Sequence, residues 1–493
     1  MNKINFNLFK ILLLSVVLTT SFYSCKKDKA IIENPKEVEP PIDEVEPPID
    51  SDFGPFISDQ YGRQLILHGL NTSSGAKAAP DRMPWVKEYH IENEANKYGF
   101  NYVRYLIFWD FIEPEKGVFN SAYLDQVQER VEWYTSRGMH VMLDMHQDLY
   151  SLKFGGDGAP EWAIRPDGAS LETQIDGAWW LQNISPAVIN SWVNFWGYSK
   201  HKDLQDHYIQ AWKFVAERFK SNPGVIGYDL MNEPWAGDLV KAFITGDFEK
   251  KQLPAFYARL IPEIRSIETQ KYLFFEPVPA PVTFGAPSNL PKINDANGVN
   301  KLVYAPHLYP YNLHENGPYN AKDRNNVKSW HRERLKEVKK QGNIPLVCGE
   351  FGVSPNSLGY DEYFKDFHQI FDDNLWHWAY WSNDNGGWSP LTHSDEETPI
   401  LNELIRAYPK ATAGRIRSYN YNKEEGIFTM DYVSSASITQ PTEIFIPKRF
   451  YTSGFDVKIE TSAEHSYDYN EMNQVVSVKV SGIANVKVTI SAK

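Results

Sequence analysis

The 493-residue chain reads as an α/β protein, a (β/α)8 barrel followed by a C-terminal antiparallel β-sandwich. Three features predict this. Eight short, nearly continuous apolar runs lie between residues 63 and 384, many of them separated by amphipathic stretches. Polar and ionisable residues gather at the C-terminal ends of those runs, and past residue 408 the hydrophobic pattern changes to a period of two.

In order, the runs are "RQLILHGLN" (63–71), "NYVRYLIFW" (101–109), "HVMLDMHQD" (140–148), "GVIGYDLMNEP" (224–234), "YLFFEP" (272–277), "KLVYAPHLYP" (301–310), "IPLVCGEFG" (344–352) and "WHWAYWSND" (376–384). Strands this apolar are buried on both faces, as in a parallel sheet covered by helices. Stretches such as "SAYLDQVQERVEWYTSRG" and "LQDHYIQAWKFVAERFKS" carry helical periodicity, and the second runs into "NPG", a helix stop. Eight such units suit a closed TIM-type barrel over residues 51–408. The rival is an open, doubly wound sheet, but no glycine-rich phosphate fingerprint follows the first run.

Residues 409–493 carry the sandwich. "IFTMDYV", "TEIFIPKRF", "DVKIE", "QVVSVKVSG" and "NVKVTISAK" alternate apolar and polar residues between turns. Few aromatics line them, so a domain that packs on the barrel is favoured over a carbohydrate-binding module.

The first 50 residues are of another kind. Lys3 and Lys10 precede the apolar "ILLLSVVLTTSFYSC", which has the length of a signal-peptide core and is short for a membrane span. Ser24-Cys25 resembles a bacterial lipoprotein cleavage site, which predicts a leader over residues 1–25 and lipidation of Cys25. An ordinary cleaved signal or an uncleaved anchor are the alternatives. Residues 26–50 include EVEPPID twice in tandem, a charged, proline-rich spacer. The expectation is an exported lipoprotein on the outer membrane, at its periplasmic or cell-surface face, or a secreted protein. Cys348 is the only cysteine besides Cys25, so no internal disulfide framework is expected.

The net charge of −13 and the lack of a dense basic run exclude an electrostatic grip on nucleic acid. With 15 Trp, 28 Tyr and 27 Phe the chain is aromatic-rich, which suits sugar stacking but equally a large core. No HExxH pair occurs, and neither a metal nor another cofactor is expected. The chain is expected to act as a monomer.

Chemistry enters at the run ends. "GYDLMNEPWAGD" is apolar until Asn232-Glu233-Pro234. In a barrel the C-terminal strand ends form the working face, which explains polar residues placed there. The third run ends with Asp144, His146 and Asp148, the sixth with His307 and Tyr309, the seventh with Glu350 and the eighth with Trp381, while Arg104 lies inside the second. Two carboxylates at strands four and seven point to glycoside hydrolysis. A retaining enzyme needs one acid to protonate the leaving oxygen and a second carboxylate about 5–5.5 Å away to attack the anomeric carbon.

"LILHGLNTSSGAK", "VMLDMHQDLYS", "YDLMNEPW", "PHLYP", "GEFG" and "YWSND", in this order, resemble the bacterial endoglycoceramidases of glycoside hydrolase family 5, clan A. The resemblance runs from about residue 60 to the C-terminus and includes a C-terminal sandwich. It implies that Glu233 is the general acid/base and Glu350 the nucleophile. It makes Asn232 a ligand of the sugar 2-hydroxyl, gives Arg104 and Tyr309 the task of orienting Glu350, and adds His146 and His307 to the polar floor. Trp381 would lie under the sugar, Lys77, Asp144 and Asp148 would grip it, and Trp179, rather than Trp180, would wall it. Glu276 in "FFEP" is read as an internal hydrogen-bonding residue.

The implied reaction cuts the bond between glycan and ceramide in glycosphingolipids and releases an intact oligosaccharide. An apolar half of the cleft would come from residues 178–198, which hold Trp179, Trp180, Trp192 and Trp196, or from residues 235–248, the latter being favoured. Three alternatives stay open. One is a family 5 β-glucanase or β-mannanase, another a β-glucosidase acting on a galactosylceramide or steryl glucoside. The third is a glycan-binding surface lipoprotein with a dead barrel.

Overall fold

The computed structural model describes residues 55–172, 179–197 and 200–493. The predicted leader, its Cys25 and the spacer lie outside these described residues. Eight parallel strands build the barrel: β1 (His68–Asn71), β2 (Tyr102–Ile107), β3 (His140–Met145), β4 (Val225–Asp229), β5 (Tyr272–Phe275), β6 (Leu302–Tyr304), β7 (Val347–Phe351) and β8 (His377–Tyr380). Neighbours pair in the order β6-β5-β4-β3-β2-β1-β8-β7. Parallel bridges Tyr304–Leu346 and Leu308–Phe351 then join β6 to β7 and close the ring.

Helices that include Ser121–Thr135, Lys202–Phe219, Leu253–Arg265, Ala321–Lys340 and Tyr360–Asp373 wrap the outside. Asn120 caps the first by accepting the N–H of Tyr123, and Asn320 with Asp323 forms a capping box on the fourth. Val103, Tyr105, Ile107, Val141 and Leu143 face these helices, while Tyr102, Met142, Phe274, Val303, Val347 and Ala379 pack together inside. This inner group is an apolar plug. The site is built on top of it.

Following the inward period of two up each strand leads from plug to polar residue. Tyr102 is followed by Arg104, Met142 by Asp144 and His146, Phe274 by Glu276, Ala305 by His307 and Tyr309, and Ala379 by Trp381. Strand β7 departs from the rule. Cys348 and Phe351, three residues apart, both face outward, and alternation counted from Cys348 would send Glu350 out as well. A register shift between Cys348 and Phe351 against β8 turns Glu350 inward instead, as bulges near active sites do.

The sandwich comprises β9 (Tyr408–Thr412), β10 (Gly414–Asn422), β11 (Ile427–Ser434), β12 (Thr442–Phe445), β13 (Phe455–Glu460), β14 (His465–Asn470), β15 (Val475–Val480) and β16 (Asn485–Ala492). One sheet orders as β10-β11-β16-β13. The other orders as β9-β12-β15-β14, with Gln64–Leu65 added at its edge beside β9. The first apolar run is thus split: its start belongs to the sandwich and its end is β1. Both halves are buried, so apolar content alone gave no sign of the break.

The two domains interlock. Tyr408 donates its hydroxyl to the Gly99 carbonyl at 2.7 Å, and the Phe445 ring fills the space over Gly99. A Cβ there would lie 2.3 Å from that ring, and φ is +78°, so only glycine fits. Arg406 pairs with Asp372 on the last of those helices. These contacts pack the sandwich against the barrel.

Candidate active site

Arg104 organises the floor. It is wholly buried, and its guanidinium meets four carboxylates: Glu350 at 2.8 Å, Asp229 at 3.0 Å, and Asp144 and Glu276 at 3.1 Å each. It also donates to the side-chain oxygens of Asn71 (3.1 Å) and Asn232 (2.8 Å). Burial works against its charge, but the surrounding acids raise its pKa well above the ordinary value. Burial pushes the Asp144 carboxyl well up and the Glu276 carboxyl up to about 8, in each case against the pull of Arg104.

Glu350 receives Nη1 of Arg104 on one oxygen and the Tyr309 hydroxyl on the other, at 3.0 Å. Gly349 makes room for this arrangement, because a Cβ there would sit 2.8 Å from Nε2 of His307. His307 lies between the two glutamates. Its Nδ1 is 2.9 Å from Oε1 of Glu233 and 3.6 Å from Oε2 of Glu350, and its Nε2 faces Glu276 at 3.3 Å. Burial would discharge this imidazole, but Glu276, Glu350 and Glu233 outweigh it and hold its pKa well above the usual range.

Glu233 has φ +42°, a left-handed backbone that costs a non-glycine residue about 1–3 kcal/mol. Its surroundings hold it there. Glu276 accepts its N–H at 2.9 Å, and Gln147 donates to the carbonyls of both Asn232 and Glu233 at 3.0 Å. Asn232 returns a bond from its amide to the Gln147 carbonyl at 3.0 Å. One oxygen of Glu233 and one of Glu350 lie, with a His307 nitrogen, within 4.8 Å of one another. The two acids differ in surroundings: the Glu350 side chain is 7% exposed and takes two donors, while that of Glu233 is 26% exposed and takes one.

Beside the glutamates lies a second group. Nζ of Lys77 is 2.5 Å from Oδ2 of Asp148 and 4.2 Å from the centre of the Trp381 indole, which stacks on His146 at 5.4 Å and 13°. His146 in turn bonds Asp144 at 2.7 Å. Burial would raise Asp148, but Lys77 and His146 hold it below the usual carboxylate range. Burial opposes the Lys77 charge too, but Asp148, Asp157 and Glu350 raise its pKa.

Of the predicted site residues, Lys77, Arg104, Asp144, His146, Asp148, Asn232, Glu233, His307, Tyr309, Glu350 and Trp381 thus share one connected cluster. Trp179 makes none of these contacts: it is 54% exposed, on a short turn over Trp179–Ile184. Residues Asp229, Asn71, Gln147 and Asp157 escaped sequence reasoning. Their signal was present, since each lies within or just after a motif that held a recognised residue. Glu276 is internal as expected, and it also supports the backbone of Glu233.

The two candidate apolar walls separate. Helix Pro186–Trp196 buries Trp192 and Trp196, stacked at 5.7 Å, so this stretch is core. The turn Val240–Ile244 leaves Val240 53% and Ile244 72% exposed, with Phe243 packed on Trp235 at 5.9 Å.

Residues 58–387 match the family model described as Cellulase (glycosyl hydrolase family 5), and residues 406–491 match the Glycoside hydrolase family 5 C-terminal domain. The chain belongs to glycoside hydrolase family 5. This family 5 enzyme is 31% identical over 428 residues to endoglycoceramidase I of Rhodococcus hoagii (strain 103S), covering 83% of this chain and 81% of that protein. Its fold is similar to that of endo-glycoceramidase II from a Rhodococcus species in complex with ganglioside GM3, with TM-score 0.83 and 33% identity over 90% of this chain and 100% of that one. The lactosyl-enzyme intermediate of the same Rhodococcus protein gives TM-score 0.81 and 34% identity, covering 89% of this chain and 100% of that one.

Proposed function

We propose that this family 5 enzyme is an endoglycoceramidase, which hydrolyses the β-glycosidic bond between the oligosaccharide and the ceramide of glycosphingolipids with retention at the anomeric carbon. Carrying the reading is the approach of one oxygen of Glu233 to one of Glu350 within 4.8 Å, which suits a retaining pair better than the roughly 6.5–9.5 Å separation by which an inverting pair admits water beside the sugar. The ganglioside complex and the lactosyl-enzyme intermediate of similar structures support the same substrate class and the same covalent route.

In the first step an oxygen of Glu350 attacks the anomeric carbon while Glu233 gives its proton to the ceramide oxygen. The glycosyl ester forms as the bond to ceramide breaks. Glu233, now a carboxylate, takes a proton from water, whose oxygen displaces Glu350 and frees the oligosaccharide. The Tyr309 hydroxyl and Arg104 aim Glu350, and Asn232 meets the 2-hydroxyl. Lys77, Asp148 and His146 hold sugar hydroxyls against the Trp381 face, with Asp144 behind His146. Trp179, exposed on its turn, is the proposed wall for the glycan. Val240, Phe243 and Ile244, on the loop that follows the acid/base, supply the apolar side that meets the lipid.

Incubation with GM3, lactosylceramide and a soluble cellulose derivative tests the reading. Free oligosaccharide plus ceramide is the expected outcome; shortened glucan with untouched glycolipid would show a polysaccharidase instead. Glu233→Gln should abolish ceramide release. For the N-terminus we propose export as a lipoprotein held by Cys25, supported by the apolar run and the spacer after it. Cys25→Ser should shift the protein from the membrane fraction to the soluble one, and an unchanged membrane fraction would refute lipidation.

A further inference from the structure

One acid at the mouth has no part in the steps above. The Asp384 carboxylate accepts four hydrogen bonds, which fills its acceptor sites. Ser73 donates its hydroxyl to Oδ1 at 2.7 Å and Gly75 its N–H to the same oxygen at 3.1 Å. Ser74 donates to Oδ2 at 2.7 Å, and Ser382 donates to Oδ2 as well. Ser74 and Gly75 lie on the turn that carries Lys77, over Ser74–Lys77, Ser73 caps it, and the fourth donor directly follows Trp381. The two segments come from opposite ends of the barrel chain, after β1 and after β8. Neighbouring bonds reinforce the join: Asn383 donates its N–H to the Asn71 carbonyl at 3.0 Å, and Trp85 donates its indole N–H to the Asn383 carbonyl at 2.7 Å.

We infer that Asp384 is a positioning residue that sets glycan affinity: its carboxylate locks the Lys77 turn to the Trp381 segment, so that ammonium and indole meet the sugar as one preformed unit. The geometry explains why one carboxylate suffices. Lys77 has a long, flexible stem whose immobilisation on binding costs entropy. Fixing the backbone within four residues of it, and the ring 4.2 Å from its nitrogen, takes much of that cost before substrate arrives. Asp384 acts through these two groups and does not touch the reacting atoms. The inference rests on the reading of Lys77 and Trp381 as sugar ligands.

Steady-state kinetics on an aryl β-lactoside test it with four variants: Lys77→Ala, Asp384→Ala, Asp384→Asn and the double Lys77→Ala/Asp384→Ala. Asp384→Ala should raise KM about tenfold, the loss of roughly one charge-assisted hydrogen bond's worth of binding, while the limbs of the kcat pH profile stay in place. Asp384→Asn, which keeps an acceptor and the shape, should recover most of the affinity. The double variant should bind no more than about twofold worse than Lys77→Ala alone, because both changes disable the same unit. A KM rise in Lys77→Ala with none in Asp384→Ala overturns the positioning role, as do additive effects in the double variant. Unchanged KM in Lys77→Ala refutes the sugar-ligand reading itself, and the inference falls with it. Should Asp384→Ala fail to fold, Ser74→Ala removes one of the four donors at the surface of the clamp, and the same non-additivity with Lys77→Ala is required of it.

Discussion

Arg104 and Glu350 are joined at 2.8 Å on top of the apolar plug, and the same guanidinium faces three further carboxylates. Removing the cation strands a cluster of buried acids. Arg104→Met should therefore destabilise the barrel by about 3–5 kcal/mol, read as a lower urea midpoint, and abolish turnover. Arg104→Lys should rescue little of either, since one ammonium cannot replace a planar fork. A midpoint for Arg104→Met within about 0.5 kcal/mol of the parent would contradict this account.

Tyr309 donates to the other oxygen of Glu350 at 3.0 Å. Tyr309→Phe leaves the ring in place and removes the donor. The loss of a hydrogen bond to a charged group is about 1.5–3 kcal/mol, so kcat/KM should drop about 10- to 100-fold with the fold intact. Parent-like kinetics would remove Tyr309 from the mechanism.

Glu94 supplies a pH test outside the site. Burial pushes its carboxyl from 4.5 up to about 8, although Asn383 donates to one oxygen at 2.6 Å and works the other way. The folded chain therefore holds a proton that the unfolded chain releases above 4.5, and stability from this group, complete below that value, is lost as pH rises through about 8. The slope reaches about 1.4 kcal/mol per pH unit at most. Glu94→Gln is neutral throughout and can still accept from Asn383. The variant should gain on the parent between pH 5 and pH 8 in urea midpoints; parallel curves would show that Glu94 is ionised in the fold.

Chelation should leave activity unchanged. The cluster of His146, Asp148 and Asp157 already contains the Lys77 ammonium, and the cluster of Glu233, His307 and Glu350 is centred on an imidazole whose pKa is raised, leaving its nitrogens protonated rather than free to ligate. Activity lost to a chelator and restored by a divalent ion would overturn this.

The barrel was legible because its strands are apolar on both faces, and the site was legible because period-two continuation carries each strand from plug to polar end. Arg104, Asp144, His307 and Trp381 follow that rule. Glu350 does not, and its inward turn depends on a register shift that no local pattern announces. Gln64–Leu65 joined the wrong sheet in the sequence reading because burial looks the same in either. Strand β14 was invisible for the opposite reason: it is exposed along most of its length and has no apolar face to mark it. Trp179 and Asp384 show the limit for loops. The family resemblance named the first, which lies outside the six motifs and stands exposed on its turn; the second stood in a motif, and only the folded chain brings Ser73 and Ser74 to it.

The central claim is that Glu350 forms a covalent bond to the sugar with Glu233 as its acid. A 2-deoxy-2-fluoro-lactosyl fluoride tests it directly, because the fluorine slows release of the glycosyl ester enough for mass spectrometry of peptides. The account predicts one added fluorolactosyl group, on the peptide that holds Glu350, and none in Glu350→Ser. Labelling on a different residue, or turnover with inversion and no adduct, would contradict it.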